Sequence, residues 1–369
     1  MAQQEHCDSR QNPKKATTSH LSREDFDGGP VSIDQIEKGL YLGNVTAATD
    51  KGSLQTHDIT HILTVDSCPL PSHVLQISTL TNKYIQVSDV AKEDLLSHFD
   101  DCIEFIENSL LNDKRVLVHC YFGVSRSAAV VIAYIMRKYK ISFSPAFERV
   151  KAKRRFVGPN PGFVQQLRLF YKMRWTIDIH HEQYKTYRLR LAADKVRKAK
   201  ILPQSCMDLV KQDPGLIQTN PEPIVYRCKK CRRIVASKSN VITHKPVSPN
   251  QRPKECAKLD AYADEHTGVM IDEISDKLKE NSLSSDRSSD VEIDYCKDVY
   301  FIEPLAWMDG ILRQTNGKLH CPKCQSKLGS FSWTMGINCP CGTQVSPAFY
   351  LVPSKVELSR SVQNVQITV

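Results

Sequence analysis

No apolar run in this 369-residue chain approaches the roughly 20 residues a helix needs to cross a bilayer, so no membrane-spanning helix and no membrane partner are expected. The first thirty residues are polar and lack the apolar core of a secretory signal. They read as a disordered segment, 1–30. Internal repeats are absent, which excludes a solenoid or a propeller. No extreme charge of one sign is present either: 50 Lys and Arg against 41 Asp and Glu leave a formal net charge of +9. The surplus is local. Lys172 to Lys200 holds nine Lys or Arg against three acids, a run that suits a solvated helix face or contact with RNA or an acidic partner. Asn44-Val-Thr46 matches the glycosylation pattern but stands at a strand end, where it is idle in a cytosolic protein.

Against these absences, one stretch concentrates chemistry. His119-Cys120-Tyr121-Phe122-Gly123-Val124-Ser125-Arg126-Ser127 follows the β-branched run Val116-Leu117-Val118 and precedes the apolar run Ala128 to Met136. The first run suits an interior strand and the second a buried helix. A loop between them aims free backbone N–H groups and the positive helix end at one point, where a phosphate dianion fits. The same field favours a thiolate at Cys120. Arg126, six positions on, offers a planar fork matched to two phosphate oxygens. Gly123 lets the backbone curl where a Cβ would intrude. Residues Tyr121 to Arg126 are therefore the expected phosphate-binding loop. Cys120 is the expected nucleophile, attacking phosphorus to give a phosphocysteine that water later hydrolyses. Ser127 would donate to the sulfur and ease its departure. His119 would orient the loop or serve as a satisfied structural histidine.

The leaving oxygen needs a proton from a carboxylic acid across the phosphate. Asp89 is the expected donor, because it ends the strand-like run Tyr84 to Ser88 and would project near Cys120. Glu93 and Asp94 are rivals that read as the first turn of the next helix, where acids favour the dipole.

Thirteen cysteines divide between the two halves of the chain. Seven of those after Val225 have metal-knuckle spacing: Cys228-x2-Cys231, Cys321-x2-Cys324, Cys339-x-Cys341 and the single Cys296. His244 makes an eighth ligand, and eight suit two closed tetrahedral zinc sites, structural in role. The pairing left open by spacing is preferred as the two Cys-x2-Cys knuckles on one ion, with His244, Cys296, Cys339 and Cys341 on the other. A disulfide framework is the rival, disfavoured because an active-site thiol needs a reducing compartment. Cys256, His266 and His320 read as bystanders. Residues 245–290, rich in Pro, Ser, Asp and Lys, read as an unstructured insert.

The 119–127 stretch resembles the cysteine-dependent protein phosphatases, and among them the compact dual-specificity group, over about Val31 to Trp175. Ile33 to Asn44 resembles that group's entry strand pair, and His61 to Asp66 its next core strand. Pro159 to Leu167 resembles its closing helix, in which Asn160 would brace the phosphate loop. Tyr226 to Arg233, Glu303 to Met308, Gly317 to Cys324, Lys327 to Trp333 and Cys339 to Gly342 resemble the C-terminal zinc domain of the Yvh-type dual specificity phosphatases. The resemblance implies an α/β fold, with a central mostly parallel sheet flanked by helices, followed by a small β-rich zinc-binding domain. Only 78 residues separate Tyr41 from Cys120, too few for the pocket-deepening loops of tyrosine-specific relatives. A shallow pocket would admit phosphoserine and phosphothreonine beside phosphotyrosine. Tyr121 and Val124 stand where inositol-lipid phosphatases carry lysines, which disfavours a lipid substrate.

The expected organisation is a catalytic domain at 31–175, a basic helical connector at 176–222, a zinc domain at 223–354 and a tail at 355–369. The expected function is hydrolysis of phosphoproteins, with no cofactor needed for catalysis. The resemblance adds a role in large ribosomal subunit maturation through the zinc domain, with the ribosomal precursor or its RNA as partner, in nucleus and cytoplasm. A non-catalytic assembly factor and an RNA 5′-triphosphatase are the alternatives.

Overall fold

A computed structural model of the chain describes residues 29–216, 222–244 and 296–360. The expected insert at 245–290 and nearly all of segment 1–30 lie outside the described residues. The chain forms two compact units that meet in sequence at Ile177 and Asp178.

The first unit is a five-stranded sheet with helices. Its strands are β1 (Ile33–Glu37), β2 (Leu40–Gly43), β3 (His61–Asp66), β4 (Thr81–Gln86) and β5 (Val116–His119), in the order β1-β2-β5-β3-β4. Only β1 runs antiparallel to its neighbour; β2, β5, β3 and β4 are mutually parallel. The helices are α1 (Val45–Thr49), α2 (Lys51–Thr56), α3 (Ser72–Leu75), α4 (Phe99–Leu111), α5 (Arg126–Tyr139), α6 (Phe143–Lys153) and α7 (Pro161–Lys172). Every residue of β5 is buried, as its unbroken apolar run requires of a central parallel strand. Helix α5 is buried along most of its length, from Arg126 to Met136. This is the mostly parallel α/β architecture expected from the sequence. It brings Gly43, Asp66, Gln86 and His119 to one edge of the sheet, the carboxyl ends of four parallel strands, where open α/β folds bind ligands.

The second unit is β-rich. Helix α8 (Glu182–Ala199) precedes the strands β6 (Ile224–Cys228), β7 (Ile234–Ser237), β8 (Tyr300–Phe301), β9 (Asn316–His320) and β10 (Lys327–Ser332). After these come β11 (Ile337–Asn338), β12 (Gln344–Val345), β13 (Ala348–Leu351) and β14 (Val356–Arg360). They form sheets β8-β13-β10-β9, β14-β6-β7 and β11-β12. Trp333, Phe331, Phe349, Leu319 and Leu328 fill the core.

Two sequence boundaries shift. Segment 176–222 is not a free connector from 178 onward, because α8 buries Leu189, Ala192 and Val196 in the same core as Trp333. The tail begins later than residue 355, since Val356 to Arg360 pair along the length of β6. An alternating apolar strand on an open edge of β6 leaves its backbone groups paired on that side. Among the described residues, no helix is long and apolar enough to cross a membrane.

Candidate active site

Cys120 leaves β5 at the carboxyl edge of the sheet and is 1% exposed. Its Sγ accepts hydrogen bonds from Gly123 N at 3.2 Å and from Ser127 Oγ at 3.1 Å. Two donors from the same loop therefore converge on one sulfur. Gly123 adopts φ +69°, and a Cβ there would fall 2.4 Å from Gly43 O. The loop can pack this tightly on β2 only with glycine at that point.

Arg126 opens α5 and is 7% exposed. Its Nη1 donates to Asp66 Oδ1 at 2.6 Å and to Val87 O at 3.3 Å, while Nε is buried with no hydrogen-bond partner. An orphaned buried guanidinium donor beside a thiol is the kind of group that a bound oxyanion satisfies. Asp89 Oδ2 lies 3.8 Å from that Nε. Asp89 Oδ1 accepts from Ser125 Oγ at 2.7 Å and from Asn160 Nδ2 at 2.8 Å. The structure therefore brings Cys120, Arg126, Asp89, Ser125, Ser127 and Asn160 to one place. Tyr121, Phe122 and Val124 line the same loop; Phe122 is 60% exposed and its ring meets that of Tyr121 edge-on.

Of the rivals of Asp89, Asp94 is engaged elsewhere through its carboxylate, and Glu93 is held through its backbone. Asp94 accepts from Ser97 N and Ser97 Oγ at a helical turn, and the Glu93 carbonyl accepts from Gln166 Nε2. His119 is fully buried, with Nε2 2.8 Å from Thr64 Oγ1 and Nδ1 3.4 Å from Cys120 O. It locks the end of β5 to β3 and to the first peptide of the loop.

Three residues of this site carry no local signature. Asp66 ends β3 and holds Arg126. Arg154 follows α6, is 2% exposed, and donates from Nε to Gly123 O at 2.9 Å and from Nη2 to Phe122 O at 3.2 Å. Its Nη1 donates to Ser32 Oγ at 2.9 Å and Asp34 Oδ2 at 2.6 Å. With those carbonyls held by Arg154, the Gly123 amide faces the sulfur. Asn44 caps α1 through Oδ1, which accepts from Ala47 N at 3.0 Å and from Ser32 N at 3.1 Å. It is 3% exposed, so this glycosylation match is a structural asparagine. The next residue, Val45, donates its N–H to Tyr121 O at 3.1 Å. A polar residue placed by pattern at a strand end was the available hint in the cases of Asp66 and Asn44.

The second unit holds two groups of four ligand atoms, each group lying within 4.8 Å of one another: Cys228, Cys231, Cys321, Cys324, and His244, Cys296, Cys339, Cys341. Cys228 and Cys324 sulfurs are 3.7 Å apart, Cys231 and Cys321 3.5 Å, and Cys296 and Cys339 3.5 Å. His244 Nε2 is 3.2 Å from Cys339 Sγ. Sulfurs about 2.3 Å from a tetrahedral ion stand about 3.8 Å apart, so these sets are spaced to hold metal ions. All the described cysteines are free of disulfides. Burial pushes the Cys321 and Cys339 thiols up to about 12, and two such thiols packed with further sulfurs need a cation to ionise. His320 lies exposed on β9, outside both groups. Cys256 and His266 lie outside the described residues.

The family model described as dual specificity phosphatase, catalytic domain, matches residues 40–173. The chain is 53% identical to Dual specificity protein phosphatase MPK-4 of Drosophila melanogaster over 95% of this chain and 93% of that relative. It is 35% identical to Dual specificity protein phosphatase 12 of Mus musculus, over 88% of this chain and 87% of the relative. With Tyrosine-protein phosphatase YVH1 of Saccharomyces cerevisiae it shares 30% identity, over 89% and 93%. A cysteine-centred anion loop, a second unit with two clusters of ligands, and kinship that spans nearly the full chain agree: it belongs to the Yvh-type dual specificity protein phosphatases.

Proposed function

We propose that the chain hydrolyses phosphotyrosine and phosphoserine or phosphothreonine in proteins through a phosphocysteine on Cys120. The convergence of Gly123 N and Ser127 Oγ on Cys120 Sγ, in the loop that ends at Arg126, whose buried Nε makes no hydrogen bond and lies 3.8 Å from Asp89 Oδ2, carries this reading. The thiolate attacks phosphorus in line while the bond to the leaving oxygen breaks, and Asp89 gives that oxygen a proton. Arg126 and the amides of Tyr121 to Arg126 hold the phosphoryl oxygens as charge moves. Water then attacks phosphorus, the Asp89 carboxylate takes its proton, and Ser127 stabilises the departing thiolate. His119 positions the loop and touches no reacting atom. Orthovanadate should inhibit, and Cys120→Ser should abolish turnover of 4-nitrophenyl phosphate, because a hydroxyl does not ionise there. Residual turnover in Cys120→Ser would remove the mechanism.

Zinc is the metal that thiolate-rich tetrahedral sets favour, so Cys228, Cys231, Cys321 and Cys324 would bind one ion and His244, Cys296, Cys339 and Cys341 another. Both are structural in this reading, and metal analysis should return two zinc ions per chain, as eight ligands imply.

A role in large ribosomal subunit maturation is supported by the exposed basic residues of α8. Its buried residues are Tyr184, Lys185, Leu189, Ala192, Ala193 and Val196, with the Lys185 ammonium paired to Glu303 at 3.1 Å, and its exposed residues include Arg190, Lys195, Arg197 and Lys198. A face of that kind suits a phosphate-rich partner such as ribosomal RNA, in nucleus and cytoplasm. Full-length protein should associate with large-subunit precursors and Cys321→Ser should lose that association. Unchanged association of Cys321→Ser would contradict the role of the clusters.

A further inference from the structure

Asp89 sits three residues beyond β4, outside any helix or strand, yet its carboxyl group is fixed on one side. Oδ1 accepts two hydrogen bonds, from Ser125 Oγ at 2.7 Å and Asn160 Nδ2 at 2.8 Å. Oδ2 accepts none and lies 3.8 Å from Arg126 Nε. The two donors are tied to each other, because Asn160 N donates to Ser125 Oγ at 3.1 Å. Asn160 also caps α7: its Oδ1 accepts from Phe163 N at 3.0 Å. A cap needs an acceptor, so the amide oxygen faces the helix and the amide nitrogen faces the acid. Backbones meet beside this knot, since a Cβ on Gly162 would fall 1.9 Å from Ala91 O. The first turn of α7 is therefore packed directly on the loop that carries the acid.

Resting on the reading of Asp89 as the general acid, we propose that Ser125 and Asn160 are positioning residues that clamp Asp89 through Oδ1 and so dedicate Oδ2 to proton transfer. A carboxyl free to rotate would present either oxygen; with Oδ1 occupied twice, only Oδ2 is open to carry the proton. The clamp serves both protonation states. In the acid, Oδ1 is the carbonyl oxygen and accepts; in the carboxylate it accepts as well. In the first half-reaction Oδ2–H gives its proton to the leaving oxygen, as the sulfur–phosphorus bond forms and the phosphorus–oxygen bond breaks. In the second, Oδ2 takes a proton from the water whose oxygen bonds phosphorus as the sulfur departs. No clamp hydrogen bond changes hands in either step. Ser125 belongs to the phosphate loop itself, so the acid is docked over the loop before any substrate binds. Misplacement by about 1 Å costs a catalytic group on the order of 100-fold in rate, which is the scale a clamp protects.

The test uses the full chain and two substrates. 4-Nitrophenyl phosphate releases a phenolate that departs without a proton, whereas phenyl phosphate releases one that needs it. Asp89→Ala should lose on the order of 100-fold more kcat toward phenyl phosphate than toward 4-nitrophenyl phosphate. Asn160→Asp keeps the acceptor that caps α7 while removing the donor to Asp89, and Ser125→Ala removes the other donor. Each should lose about tenfold more toward phenyl phosphate, the scale of one charge-assisted hydrogen bond, and Ser125→Thr should recover most of the loss. A cooperative melt of each variant establishes that it is folded. Equal losses on both substrates in Asn160→Asp and Ser125→Ala, with a selective loss in Asp89→Ala, overturn the clamp and keep the acid. Equal losses in Asp89→Ala as well overturn the acid and the clamp together.

Discussion

Replacing Arg154 by methionine asks whether the phosphate loop is shaped from behind. The guanidinium is 2% exposed and makes four hydrogen bonds, two to the loop carbonyls of Gly123 and Phe122 and two to Ser32 and Asp34. Methionine matches the length of the stem and offers no donor. Each loop carbonyl left without its donor costs about 1 kcal/mol. The Asp34 side chain is 41% exposed and regains water, so its ion pair is discounted to a few tenths of a kcal/mol. The expected loss of stability is therefore about 2–3 kcal/mol, read as a lower urea midpoint at unchanged slope. The two loop carbonyls account for about 2 kcal/mol of it, and the same bonds set where the loop amides point. If that fraction is also lost from anion binding, the orthovanadate Ki rises about thirtyfold, at 1.4 kcal/mol per decade. Arg154→Lys, with one compact donor group, should fall between wild type and Arg154→Met. Wild-type orthovanadate inhibition in an Arg154→Met chain that has lost its 2–3 kcal/mol would refute the claim that this arginine organises the site, leaving it a role in stability alone.

Asp66→Asn keeps the shape of the Arg126 partner, bonded at 2.6 Å, and removes its charge. Losing the charge-assisted part of that bond should lower kcat/KM tenfold to about 100-fold, and an undiminished kcat/KM would dismiss the pair as an orienting device. Gly123→Ala places a Cβ 2.4 Å from a backbone oxygen at φ +69°. Strain of about 1–3 kcal/mol should appear as a lower Tm together with loss of orthovanadate inhibition; a normal Tm would show that the loop relaxes freely. Removing metal with a chelator should abolish the near-ultraviolet signal of buried Trp307 and Trp333, both core residues of the second unit. A free cysteine titrates at about 8.5, so once the metal is gone and the core is lost the Cys321 and Cys339 thiols are protonated at neutral pH. Returning zinc must then release protons, detectable with an indicator dye, and rebinding without proton release would show that these thiols are not ligands.

Much of the first unit is legible because its decisive features are local. The apolar run ending at His119, the Cys-x5-Arg loop and the apolar helix behind it lie within one stretch, and neighbouring residues set their own geometry. Asp66 and Arg154 are not legible in that way. Asp66 reaches Arg126 only because β3 pairs with β5 in parallel register, bringing Thr64 opposite His119. Arg154 lies 31 positions from the loop carbonyl it holds, beyond α5 and α6. An arginine within a basic stretch, Lys151 to Arg155, looks like surface charge until the fold buries it. Asn160 was legible as a brace of the phosphate loop; its grip on Asp89 was not, because that needs the positions of three separate loops at once.

In the second unit the metal-ligand spacings were legible, whereas the elements around them were harder to place. Short strands of two to six residues, such as β11 and β10, leave too few positions for an alternating pattern to stand out. The helix of the connector was legible but basic charge concealed its burial, since a helix rich in Lys and Arg reads as solvated although Leu189, Ala192 and Val196 fall on one buried face. The clusters explain why so little regular structure suffices. One cluster ties the β6–β7 turn to the turn between β9 and β10; the other ties His244 and Cys296, which flank residues 245–295, to the β11–β12 hairpin. On the proposed reading, an ion in each set would join segments that are neither adjacent in sequence nor linked by a long ladder, its ligand bonds replacing the cohesion that longer strands would supply. The basic residues between ligands, Lys229, Lys230 and Lys323, are then free to face solvent, since the fold asks nothing of them. Substituting those three lysines should accordingly leave the Tm unchanged, while substituting any one of the seven cysteine ligands should not.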